Sequence, residues 1–248
     1  MKEGTNKYYK LTLRENIISI MLGGAAAVAL GTLFYRSIIA VLLLSPLIYF
    51  YSKRRAGHLI KEYKWRLNIE FKEGIAALSA ALEAGYSAEN AFREACEDLI
   101  KTGFENSLIL KEFQCIVNQI NLNTPVEVAL TEFGERTQLE DIISFSNVFS
   151  TAKRTGGDLI HAIAVTSKII SDKIEVKRDI KTLIAAKKLE AGIMKATPLL
   201  ILIYLSASSP GFLDPLYHNL FGIIIMTFFL IAYLAAILII DKIIEIEV

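Results

Sequence analysis

The stretch AALSAALEAGYSAENAF, residues 76–92, decides how this chain folds. Leu78, Ala81 and Leu82 stand at helical spacing, so the first half reads as a helix with one apolar edge. Gly85 can take the left-handed backbone that closes a helix, and Ser87 can accept from the free N–H groups that open the next. Helix, sharp corner, helix is the expected order.

Working outward, the segment from Lys53 to Glu190 is helical in pattern almost throughout and has no alternation long enough to build a sheet. Six helical segments are expected, at about 55–84, 87–101, 105–121, 125–135, 138–155 and from 158 onward. Short corners between them make an antiparallel helical bundle. In the third segment Ile109, Phe113, Ile116, Val117 and Ile120 form the core stripe. Thr124, Pro125 and Glu127 offer the fourth a cap, a first-turn proline and a capping-box carboxylate. Gly156, Gly157 and Asp158 form the corner before the last helix. Small-large pairs follow three corners at the same distance: Ala91-Phe92 after Gly85, Ala129-Leu130 after Asn123, Ala162-Ile163 after Gly156. In the last helix Ala162, Ile169, Val176 and Leu183 recur every seven residues, which predicts a seam turned toward a neighbouring helix.

On either side of the bundle the composition changes. The chain is 53% hydrophobic, high for an ordinary soluble domain, and the excess sits near the two ends. Residues 17–35 and 37–51 are apolar runs separated by Arg36; 197–209 and 221–240 form a second pair. One helix over 17–51 would be roughly 50 Å long against a ~30 Å hydrocarbon core, so a hairpin turning near Tyr35, Arg36 and Ser37 is preferred. Pro210, Gly211, Asp214, Pro215, His218 and Asn219 read as a short external loop. Lys2, Lys7, Lys10 and Arg14 before the first run, and Lys53, Arg54, Arg55, Lys61, Lys64 and Arg66 after the second, place both flanks in the cytoplasm. The basic N-terminus also suits a cleaved leader, but the second run and its trailing basic cluster resist translocation. The expected organisation is a cytoplasmic N-terminus over 1–16, a transmembrane hairpin over 17–51, a cytoplasmic bundle over 52–192, a second hairpin over 193–240 and a cytoplasmic tail over 241–248.

Little of this points to chemistry. The +1 net charge and the lack of a basic, aromatic-laced block argue against nucleic acid. No glycine run ends in Lys-Ser/Thr as a nucleotide cradle requires, and Gly156-Gly157-Asp158 is too short for a phosphate loop. His58, His161 and His218 are far apart, and Cys96 and Cys115 have neither metal-ligand nor disulfide-framework spacing. Neither a catalytic residue, a metal nor a cofactor is expected. The informative charges are Lys168, Lys173, Lys177, Arg178, Lys181, Lys187 and Lys188 on the last bundle helix. Lys177, Arg178 and Lys181 are candidate contacts for an acidic protein partner; Lys187 and Lys188, nearer the membrane, are candidate contacts for anionic lipid headgroups.

Two motifs resemble the F-domain family of type II secretion and type IV pilus systems, in particular Tad-pilus inner-membrane platform proteins of the TadB/TadC type. The first is LSAALEAGYS over 78–87. The second is TGGDL over 155–159, followed by a long charged helix leading through Lys188-Leu189-Glu190-Ala191 to Pro198. The resemblance covers roughly residues 65–240. It implies a platform in the cytoplasmic membrane that links a secretion ATPase to pilin or pseudopilin subunits, as a homo-oligomer or with a related F-domain membrane protein. It also implies that Gly85, Ser87, Thr124, Pro125, Gly156, Gly157 and Asp158 are structural corners. This chain carries one such domain where larger relatives carry two. A small multi-pass transporter or channel component is the alternative, although ionisable residues that would mark a path are scarce in the apolar runs.

Overall fold

The computed structural model describes residues 13–35, 46–155, 158–209, 211–217 and 219–244. Among them every regular element is a helix: α1 (Leu13–Tyr35), α2 (Pro46–Glu83), α3 (Ala88–Lys101), α4 (Leu108–Asn121), α5 (Val126–Thr137), α6 (Glu140–Thr155), α7 (Leu159–Ser208), α8 (Asp214–Tyr217) and α9 (Leu220–Ile244). The fold is all-α. The chain forms two compact units, one containing residues 58–176 and the other Leu11–Gly57 with Lys177–Val248. Helices α2 and α7 contribute to both.

In the first unit, six helices meet around phenylalanine. Phe71 of α2, Phe92 of α3, Phe113 of α4, Phe133 of α5 and Phe145 and Phe149 of α6 are all fully buried. The rings form a continuous chain, with Phe71 edge-on to Phe145 at 5.6 Å and Phe92 edge-on to Phe113 at 5.2 Å. Phe149 joins the two halves, lying 6.3 Å from both Phe92 and Phe145. Each such edge-to-face pair adds about 0.5–1.5 kcal/mol beyond the area it buries. Packing is tight enough to require a glycine: a Cβ on Gly74 would stand 2.7 Å from Ile109 Cγ1, so α2 and α4 approach this closely only because position 74 has no side chain.

Three corners of this unit close by one device. At Gly85 the N–H bonds to Leu82 O and the next N–H, of Tyr86, reaches back to Ala81 O; Gly103 and Phe104 do the same to Ile100 and Leu99, and Asn123 and Thr124 to Ile120 and Gln119. Such paired bonds need a left-handed residue at the turn. Gly85 (φ +92), Gly103 (φ +88) and Asn123 (φ +64) supply it. The buried small-large pairs Ala91-Phe92 and Ala129-Leu130 follow two of these corners into the core, as does Ile163 in α7.

The second unit holds the long apolar helices. Among the described residues two helices, α7 and α9, are long and apolar enough to cross a membrane, and Ile20–Tyr35 of α1 is a shorter apolar stretch. Leu30 and Phe34 of α1 pack with Met226 and Leu230 of α9, and with Leu199 and Leu202 of α7. Tyr35 donates to Thr227 Oγ1 (2.8 Å), and Tyr217 of the short α8 donates to the Leu33 carbonyl of α1 (2.7 Å). Gly222 lets α8 fold back on α9, since a Cβ there would meet Leu216 O at 2.6 Å. The turn expected near Arg36 and Ser37, the corner residues Gly156 and Gly157, and Pro210 and His218 of the expected loop lie outside the described residues.

Candidate functional site

The basic stretch of α7 begins in the bundle, where Lys173 has a structural task. Asn68 of α2 donates to Asp141 Oδ2 at 2.9 Å, and Lys173 of α7 donates to Asp141 Oδ1 at 2.6 Å and reaches Glu140 at 3.5 Å. Asn68 and Asp141 are each 5% exposed, and Asn68 Oδ1 is buried without a hydrogen-bond partner. The hydrogen bond to Asp141 lifts the Lys173 ammonium above the ordinary lysine range, with partial burial opposing. Lys173 therefore ties α7 to α6 and, through Asp141, to α2.

Beyond it the charges turn outward. Arg178 and Lys181 are exposed and Lys177 is half-buried. Lys173, Lys177 and Lys181 follow at four-residue steps along one ridge of the helix, with Arg178 displaced to its side. Lys187 and Lys188 are exposed as well, but Lys187 bonds Glu190 at 2.9 Å, an i,i+3 pair that raises its pKa. Three of the candidate docking charges thus stand on α7 after the residue that anchors it, and Lys188 is the more open of the two headgroup candidates.

The corner residues are set mainly by backbone needs. Ser87 caps α3, its hydroxyl accepting from the Asn90 N–H. Asp158 accepts from the His161 N–H and opens α7 in the same way. The cap expected at Thr124 is displaced: Pro125 takes the N-cap of α5, with no side-chain capping bond. Thr124 lies one residue before that position, and its N–H closes the preceding corner onto Gln119 O. Glu127 does not complete a capping box with Thr124. Its carboxylate and that of Glu89 both accept from Lys153 Nζ, at 3.0 and 3.1 Å, which joins the N-termini of α3 and α5 to the end of α6. Each carboxylate is held below the ordinary value by its own backbone N–H at the helix start, and further by Lys153, while burial opposes.

The seven-residue seam expected on α7 is also corrected. Ile169 is 61% exposed, Val176 58% and Leu183 75%, whereas the residues turned into the core are Ile163, Ser167, Ile170 and Ile174. Both stripes satisfy the same spacing, and the one with the neighbouring isoleucines won the interior.

Several residues were missed because their partners are remote in sequence. Glu70 is buried in α2, and its carboxylate accepts from the Leu108 and Ile109 N–H groups (2.5 and 3.2 Å) and from Arg66 Nε (2.8 Å). It caps α4 from another helix, beside the local cap Ser107. Gly103 is a corner equal in geometry to Gly85. Lys195 forms an ion pair with Asp241 of α9, and Tyr233 donates to the Lys195 carbonyl at 2.8 Å. Burial pushes the Cys96 thiol up to about 11, so it is an inert core residue. Among the described residues no cluster of His, Cys, Asp or Glu suits a metal.

In comparison with known proteins, residues 75–207 match the family model described as type II secretion system (T2SS), protein F. No curated protein and no solved structure matches the chain.

Proposed function

The chain belongs to the type II secretion system protein F family, a family of inner-membrane proteins related to type II secretion and type IV pili, and from that premise we propose that it is an assembly platform for a Tad-type or related pilus. The bundle lies in the cytoplasm, joined on both sides to membrane hairpins, with both chain ends cytoplasmic. A secretion ATPase docks on the α7 strip Lys177, Arg178 and Lys181, and the membrane helices meet pilin or pseudopilin subunits and a related F-domain protein. Lys187 and Lys188 meet anionic headgroups.

The observation that carries this reading is the family match, which spans α3 to α6 together with most of α7 and so includes the basic strip. Charge placement supports the division of labour. Lys173 is committed to Asp141 inside the bundle, whereas Arg178 and Lys181 are exposed to solvent. Lys195, near the entry of α7 into its apolar run, forms an ion pair with Asp241 at the end of α9, an arrangement that neutralises both charges and does not favour a solute path.

The test is the triple charge reversal Lys177→Glu/Arg178→Glu/Lys181→Glu, compared with Lys187→Glu/Lys188→Glu at equal membrane abundance. The first should lose ATPase pull-down and pilus assembly in a salt-sensitive manner, since exposed charges act over a Debye length of about 8 Å. The second should alter membrane orientation and leave ATPase docking intact. Normal docking and assembly in the triple variant would remove the strip from the mechanism.

A further inference from the structure

Within the second unit, α7 has a weak turn where its apolar run begins. Pro198 is the one proline inside the helix; it has no N–H to offer the Met194 carbonyl, and its ring crowds that oxygen. The Thr197 hydroxyl bonds the Ile193 carbonyl at 2.8 Å, a back-bond that loosens the same turn. Gly192, Ile193, Met194, Ala196, Thr197 and Pro198 are all exposed, so little packing stiffens it. Helices bend at such places.

The two sides of the turn are held by different forces. After Pro198, Leu199 and Leu202 pack into the apolar cluster of α1 and α9. Before it the ties to α9 are polar: Lys195 pairs with Asp241, and Tyr233 donates to the Lys195 carbonyl at 2.8 Å. Ala191 is buried one turn earlier, but from Lys177 to Glu190 no residue is. The direction of this arm therefore rests on the ties at Lys195. Other charges nearby do not substitute for them. Glu190 is bonded to Lys187 at 2.9 Å, Lys188 is exposed about 10 Å further along α7, and Lys242 is exposed about 100° around α9 from Asp241. The Lys195 and Asp241 side chains are only 28% and 27% exposed, so their attraction is screened less than that of the exposed cations around them.

We propose that α7 pivots at Pro198, and that the Lys195–Asp241 pair together with the Tyr233 hydroxyl on the Lys195 carbonyl is the latch that sets the angle of the arm 177–194 against α9. With the latch closed the arm is fixed. With it open the arm swings while 199–208 stays packed. Leu183 lies about 22 Å from the pivot at ~1.5 Å per residue, so a swing of about 30° moves it about 11 Å. The arm carries Lys177, Arg178 and Lys181, so the pivot moves whatever docks there. The device itself needs no partner and is independent of ATPase docking.

Double electron–electron resonance on the full chain in phosphatidylcholine nanodiscs tests it, with nitroxides at Leu183→Cys and Ile243→Cys, both exposed positions. Cys115→Ser removes the half-buried native thiol, and Cys96 is buried. The parent should give one narrow distance distribution. Lys195→Met/Tyr233→Phe should shift or broaden it by at least about 5 Å, with helical circular dichroism unchanged. Adding Pro198→Ala to that variant should narrow the distribution again, because the arm and the packed part then form one stiff helix. The charge swap Lys195→Asp/Asp241→Lys, with Tyr233 kept, should stay as narrow as the parent. A Lys195→Met/Tyr233→Phe distribution equal to the parent's overturns the proposal, as does one that Pro198→Ala fails to narrow. A charge swap as broad as Lys195→Met/Tyr233→Phe overturns it too, and so does a loss of helical signal in that variant, which marks melting of the arm in place of a pivot.

Discussion

Replacing Lys173 by methionine isolates the strut that holds α7 to the bundle. Asp141 is 5% exposed, with its two oxygens engaged by Asn68 and Lys173. Removing one member of a buried ion pair costs about 3–5 kcal/mol, because the other charge is left without compensation. The Lys173 side chain is 39% exposed, so water reaches the site from that side and the expected loss falls to about 2–3 kcal/mol. Asp141→Asn in the same chain removes the carboxylate charge that had faced Lys173 and brings an amide donor beside Asn68 Oδ1, which has no partner. The double variant Asp141→Asn/Lys173→Met should therefore return to within about 1 kcal/mol of the parent. The assay is urea unfolding of the full chain in micelles, followed by the fluorescence of Trp65, the chain's one tryptophan, one turn before Asn68 on α2. A Lys173→Met variant as stable as the parent, or a double variant no better than Lys173→Met alone, would refute the buried-pair reasoning.

Two further outcomes are expected. Glu70→Ala leaves the Leu108 and Ile109 N–H groups unpaired at the start of α4 and should cost about 3–5 kcal/mol, whereas Glu70→Gln keeps an acceptor and should cost about 1–2. Hydrogen exchange at residues 108–112 reads this directly, and equal protection in all three chains would count against Glu70 as the cap. The Glu89–Lys153–Glu127 cluster makes the bundle acid-sensitive. Both carboxylates are depressed in the fold, so their contribution is fully present above the unfolded value near pH 4.3 and lost as pH falls through the lower folded values. Lys153→Met should thus be less stable than the parent at pH 7, by well under 1 kcal/mol per exposed pair, and the gap should shrink as pH falls below the unfolded value. A stability gap unchanged over that fall would contradict it.

What the sequence determined by itself was whatever closes within a few residues. Gly85 and Ser87 are legible as a corner because the bonds they make reach no further than Ala81 and Asn90. The core stripe of α4 is legible because Ile109, Phe113 and Ile116 share one side of one helix. Even here a local rule can miss by one residue: Thr124 has the chemistry of a cap, but the N-cap of α5 is Pro125. Tertiary structure alone decided which of two equally periodic stripes on α7 went inside. Periodicity gives the spacing of a face and not its direction, so Ile170 and Ile174 are buried while Ile169 and Val176 are left in water. It also decided the buried polar partners. Glu70 meets residues 38 and 39 positions away, Asn68 meets Asp141 at a separation of 73, and Lys195 meets Asp241 at 46. A carboxylate or an amide shows in the sequence only as a polar residue; whether it is solvated, caps a helix or neutralises a cation depends on which helix end or charge the packing brings against it.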